Sequence, residues 1–176
     1  MKEFANNAFL IGYLISNSCS LILLFFTLVS PRLARILFFL LFAVASWINW
    51  KLALESPQNY LQTADSALDI YRQFITGWFS RHVLMVVGFI ATAQAFIAVS
   101  LLLTGWIYKA GIISGIIFLL AIMPLGIGSA FPSTLVMAYG MVWLLKGKTD
   151  YIWKKNISHR KGFNIKRMAT HSLHHS

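Results

Sequence analysis

From Phe9 to Val29 the chain runs without one charged side chain. As a helix this run is about 30 Å long, the thickness of the hydrocarbon core of a bilayer. Similar apolar runs occupy 36–53, 83–103, 106–123 and 131–145. Composition follows the runs: 58% of the 176 residues are hydrophobic and 11% are charged, with a mean hydropathy of +0.69. Such a chain is too apolar and too poor in charge for an ordinary soluble domain. The expected fold is an all-α membrane protein, with one transmembrane helical domain over 1–145 and a basic tail over 146–176. A cleaved signal peptide fits the first run poorly. Ser16, Asn17, Ser18 and Ser20 interrupt it, and no small-x-small cleavage site follows. Asn17, in mid-span, is expected to bond a neighbouring helix.

The stretch from Glu55 to His82 has a different character. Tyr60, Leu61, Ala64, Ala67, Leu68, Tyr71, Phe74, Ile75 and Trp78 recur at helical steps, with Gln58, Gln62, Asp65, Asp69, Arg72 and Gln73 between them. Ser56 is a natural N-cap and Pro57 suits a first turn. The pattern predicts an amphipathic interfacial helix over 57–80, lying on a membrane surface.

The connections carry their own signals. Ser30, Pro31, Arg32 and Arg35 form a short basic link, and Thr104 and Gly105 a tight turn. Trp47 and Trp50 look like an interfacial belt, with Lys51 snorkelling or pairing with Glu55 one turn on. Gly111 and Gly115 form a small-xxx-small pattern, which permits close helix packing and also arises by chance. Pro124 opens PLGIGSAFPST, where a helix must break. Either backbone is freed at membrane depth and buried in protein, or the segment is a tight turn at the surface. The shortness of the last run favours the turn.

Charge sets orientation. Net charge is +10, and eight of the fifteen Lys and Arg lie from Lys146 on. If that tail is cytoplasmic and there are five spans, the links carrying Arg32, Arg35 and Lys109 are cytoplasmic too. The N-terminus and the interfacial helix then face outward. The tail, with Tyr151, Trp153 and Phe163 among its cations, suits an anionic lipid surface, so no nucleic acid is expected.

The inventory of chemical groups is thin. No Asp, Glu or Arg falls in the middle of a proposed span, which counts against an ion-coupled pump. No His lies inside a span to ligate haem. The single Cys19 excludes an intrachain disulfide. His171 and His175 in HSLHHS would share a helix face, yet a short terminal cluster of this kind binds adventitiously, so no functional metal site is expected. Asn156 heads a glycosylation sequon that a cytoplasmic tail would leave unmodified.

From Arg35 to Leu145 the layout is LARILFFLLFAVASWINWKL, then a polar amphipathic stretch, then three closely spaced apolar helices. This resembles the DoxX-like family of small bacterial membrane proteins over about two-thirds of the chain. Arg35 opens the first core helix, Lys51 and Leu52 stand near its end, and Gln94 is the polar residue of the next helix. In relatives a Glu often stands about where Gln94 is. The resemblance implies a four-helix bundle, to which the first span is an N-terminal addition, in a bacterial inner membrane. The family name comes from a subunit of a thiosulfate:quinone oxidoreductase, so a quinone is the one cofactor it implies.

The candidate site is an outer vestibule of Trp47, Trp50, Lys51, Arg72, Trp78, Arg81, His82 and Gln94, where aromatic and basic groups could hold an amphiphile. Two functions follow. The first is a non-catalytic subunit or accessory factor of a membrane complex, with other membrane subunits and the lipid bilayer as partners. The second is a binding or exchange protein for a quinone or lipid. No catalytic activity of its own is expected.

Overall fold

The computed structural model describes residues 2–125 and 131–147. In chain order these form α1 (Lys2–Val29), α2 (Pro31–Glu55), a 3-10 helix (Pro57–Ser66), α3 (Asp69–Phe74), a π-helical turn (Ile75–Phe79), α4 (Val83–Leu102), α5 (Gly105–Ile122) and α6 (Ser133–Lys146). Every described element is helical, and four of the helices are long and apolar enough to cross a membrane. The fold is thus an all-α membrane-type bundle. The fifth apolar helix, α6, has only 14 residues, or about 21 Å.

α2 and α4 run antiparallel and share the most extensive contact; α5 lies against α4 and α6, and α6 is held between α5 and α1. Two apolar clusters fill the bundle. The larger joins Phe38, Phe42, Ile97, Leu101, Tyr108, Ile112 and Met141. The smaller joins Ala53, Ala64, Ala67, Ile75, Phe79, Val83 and Val87 beneath the segment that follows α2. On α2 the stripe Phe42, Ser46, Asn49, Ala53 passes from the first cluster to the second, as does Ile97, Gln94, Ala91, Val87 on α4. These steps of three and four residues keep each stripe on one helix face. The polar residues therefore form a layer between two apolar zones.

The glycine pattern on α5 marks real close packing. A Cβ on Gly111 would lie 1.6 Å from the Ser100 hydroxyl oxygen, and one on Gly115 would lie 2.5 Å from the Met141 methyl carbon. Helix axes come this near only where one side lacks a side chain. Gly105, at φ +68, starts α5 in a left-handed conformation that suits glycine and makes the tight turn.

Two expectations need correction. The interfacial segment is not one amphipathic helix: it passes from 3-10 to α to π geometry, with a break at Ala67 and Leu68. It caps the end of the bundle. Tyr71 donates to Ala121 O at 3.0 Å, and the Leu68 amide donates to Pro124 O at 3.2 Å. Its apolar residues are divided: Ala64, Ala67, Ile75 and Phe79 are buried against the bundle, while Leu68 and Phe74 are exposed. Asn17 bonds Tyr13 O of its own helix; the link to a neighbour is made by Ser16, whose hydroxyl meets that of Ser133 at 3.0 Å. That contact sets the start of α6 beside Ser16 of α1. The rest of the predicted break, 126–130, lies outside the described residues, as do His171, His175 and Asn156.

Candidate functional site

The eight residues expected to share a vestibule are divided by the fold into separate groups. On the outer side of α2, Lys51 stands 5.6 Å from the centroid of the Trp47 ring and 4.0 Å from Glu55. Trp47 is 65% exposed, as a belt residue should be. Trp50 differs, because its ring is laid against α4 where Gly88 leaves room: a Cβ there would be 3.1 Å from Trp50 Cη2.

Trp78, Arg81 and His82 do come together. Phe74 and Trp78 stack with ring centroids 5.9 Å apart, and Trp78 and His82 stack at 4.4 Å. His82 Nδ1 lies 2.9 Å from Trp78 O. A carbonyl can only accept, so Nδ1 carries the proton and Nε2 is the free ring position. Arg81 is exposed beside this ladder.

Arg72 serves the cap. Its Nη1 bonds Asp69 Oδ1 at 3.0 Å, its Nε bonds Ala64 O at 3.2 Å, and its Nη2 reaches Ala67 O at 3.5 Å. It thereby ties α3 back onto the 3-10 helix across the break at Ala67. No hydrogen bond, ion pair or ring contact links it to the Trp47 group or the Trp78 group among the described residues.

Gln94 belongs to the interior layer. Asn49 Nδ2 donates to Gln94 Oε1 at 2.7 Å, and the Tyr60 hydroxyl donates to Asn49 Oδ1 at 2.9 Å. Ser46 Oγ adds a bond to Ala91 O at 2.7 Å. Burial pushes the Tyr60 phenol above its ordinary value, so it stays a donor well beyond neutral pH. The chain Tyr60–Asn49–Gln94 connects the cap to the bundle interior. Gln94 is only 4% exposed, yet its amide nitrogen has no acceptor among the described residues. The buried Thr134 hydroxyl, in the first turn of α6, is without a partner among the described residues.

The opposite end of the bundle holds the group that sequence reasoning placed in a basic link. Arg35 is buried at 3% exposure. Its Nε donates to Leu101 O at 3.0 Å, its Nη2 donates to Leu103 O, and its guanidinium lies 4.0 Å above the Tyr108 ring. The Tyr108 hydroxyl reaches Leu144 O at 3.4 Å. The end of α4 presents carbonyls with no partner inside the helix, and a planar fork of donors can satisfy two of them at once. Arg35 thus locks α2, α4 and α5 together, and Tyr108 extends the lock to α6.

Ser46 and Asn49 were not singled out from sequence, and Tyr60 was named only as an apolar position of the 57–80 pattern. The available signal was the register: Ser46 and Asn49 continue the Phe38, Phe42 stripe of α2, and Gln94 continues that of α4. No group of three or more His, Cys, Asp or Glu capable of holding a metal occurs among the described residues. Compared with family models, curated proteins and solved structures, the chain matches none.

Proposed function

We propose that this chain is a non-catalytic membrane subunit of the DoxX-like kind, an accessory factor of a membrane complex such as a quinone-linked redox complex. The observation that carries the reading is the contrast between α4 and α1. In α4, 44% of the spanning window is buried, and Gln94 Oε1 and Ala91 O accept from Asn49 and Ser46 of α2; in α1 the buried share is 17%. Leu10, Ile11, Leu14, Ile15, Leu21, Ile22 and Phe25 all remain exposed on α1. A rigid bundle with one peripheral apolar helix suits lateral docking by another membrane helix. In this reading the chain crosses a bacterial inner membrane five times, with the N-terminus and the cap outside and the basic tail cytoplasmic.

The test is purification in mild detergent with identification of what co-elutes. A stoichiometric membrane partner supports the reading, and replacing Ser18, exposed on α1, by Trp should release it without loss of insertion. A chain that elutes alone from its native membrane would count against it.

A second reading, a carrier for a small lipophile with a carbonyl oxygen such as a quinone, is favoured by the Gln94 amide nitrogen, which has no acceptor among the described residues and could donate to such an oxygen. A quinone co-eluting with the wild type and lost from Gln94→Leu would support it.

A further inference from the structure

A cavity of about 220 Å³ opens at the Arg35 end of the bundle, lined by Pro31, Trp143, Leu144, Lys146 and Gly147. It lies between the α1–α2 link and the end of α6, away from the cap and from the interior polar layer. Its walls are apolar and aromatic, with one cation. Lys146 is exposed and makes no ion pair or hydrogen bond with any described group.

From this cavity we infer that the protein binds one anionic phospholipid, with its phosphate on Lys146 and its glycerol and first methylenes over Pro31, Trp143 and Leu144. Size supports a partial fit. Pockets that enclose whole drug-sized ligands start at roughly 300 Å³, so this one takes the head and neck of a lipid and leaves the chains outside. The apolar surface they need is present on the same helices, at Val29 of α1, Leu33 of α2, and Leu135, Tyr139 and Trp143 of α6. Tyr139, Trp143 and Lys146 follow at steps of four and three, which puts them on one face and ends it in the cation. Trp143 is amphipathic, suited to the boundary between headgroup and chain.

Charge selects an anion over a zwitterion. Lys146 is the first of the eight cations that end the chain, and Arg32 follows Pro31 at the exposed rim. The end of a helix ordinarily repels an anion through its free carbonyls. Here the carbonyl of Leu144, a lining residue, already accepts from the Gly147 amide at 3.2 Å and from Tyr108 at 3.4 Å.

The inference shares with the proposed function only the placement in a bilayer, and it is read on the isolated full-length chain, so either can fail alone. Delipidated protein is offered phosphatidylglycerol and phosphatidylcholine of matched chains, and retained lipid is counted by native mass spectrometry. The expected result is one phosphatidylglycerol per chain, preferred roughly five-fold, the factor that one lysine near a lipid phosphate confers. Lys146→Gln should bring the preference to parity and Lys146→Arg should keep it. The double change Lys154→Gln with Lys155→Gln, in the tail, should leave it unaltered. Brominated phosphatidylglycerol should quench the wild type more than Trp143→Phe. Equal retention of both lipids, a preference that survives Lys146→Gln, or displacement of the lipid by millimolar inorganic phosphate would overturn the inference.

Discussion

Arg35 shows how one residue can carry two messages. By position it is a cation close to a turn, which the positive-inside pattern accounts for. By contact it is a buried clamp on Leu101 O, Leu103 O and the Tyr108 ring. Lysine would keep the charge and lose the fork and the stacking plane. Arg35→Lys is therefore expected to lower stability by about 1.5–3 kcal/mol, the usual worth of hydrogen bonds from a charged donor. Thermal unfolding in detergent measures this, with Arg81→Lys, at an exposed position, as the comparison that retains the wild-type midpoint. Equal midpoints for the two variants would mean that charge alone matters at Arg35.

Among the elements, the cap and the α4–α5 contact show opposite relations to the sequence. The periodicity of 57–80 is genuine, but four anchors divide it: Tyr60 to Asn49, Leu68 to Pro124, Tyr71 to Ala121 and Arg72 to Ala64. The first three are tertiary bonds and the fourth folds the segment back on itself, and together they outweigh the regular α geometry of a segment with Pro57 at its start and Gly77 near its end. Conversely, the Gly111 pattern, weak as sequence, becomes specific once Ser100 is seen opposite. Gly111→Ala is expected to push α4 and α5 apart and cost about 1–3 kcal/mol, as overpacking does. Combining it with Ser100→Gly moves the missing side chain to the other helix and should recover much of that loss. Unfolding midpoints of the two single variants and the double variant supply the cycle; no recovery would show that the contact is not shared by these two positions.

At the scale of the whole molecule, the proposed arrangement predicts where the chain meets water. After Cys19→Ser removes the native thiol, a cysteine replacing Ser66 in the cap should react with an impermeant reagent in intact cells. One replacing Ser158 should react only after lysis. Reversed labelling would invert the orientation, and labelling of both from one side would remove the odd number of crossings. The short α6 makes this informative, since a 14-residue helix that begins beside Ser16 depends on α1 and α5 for cover.

Taken alone, the order of residues determined the class, the four long helices, the turn at Gly105 and the location of a capping segment between Glu55 and His82, because hydrocarbon length and helical period are local properties. Which of the eight candidate side chains meet was decided by tertiary structure. Trp78 and His82 are four residues apart on one helical stretch, so their stacking follows from local geometry. Gln94 meets Asn49, and Arg35 meets Leu101, only because antiparallel packing of α2 on α4 fixes a register between helices. That register comes from close contacts such as Trp50 on Gly88 and Ser46 on Ala91, which no single helix encodes.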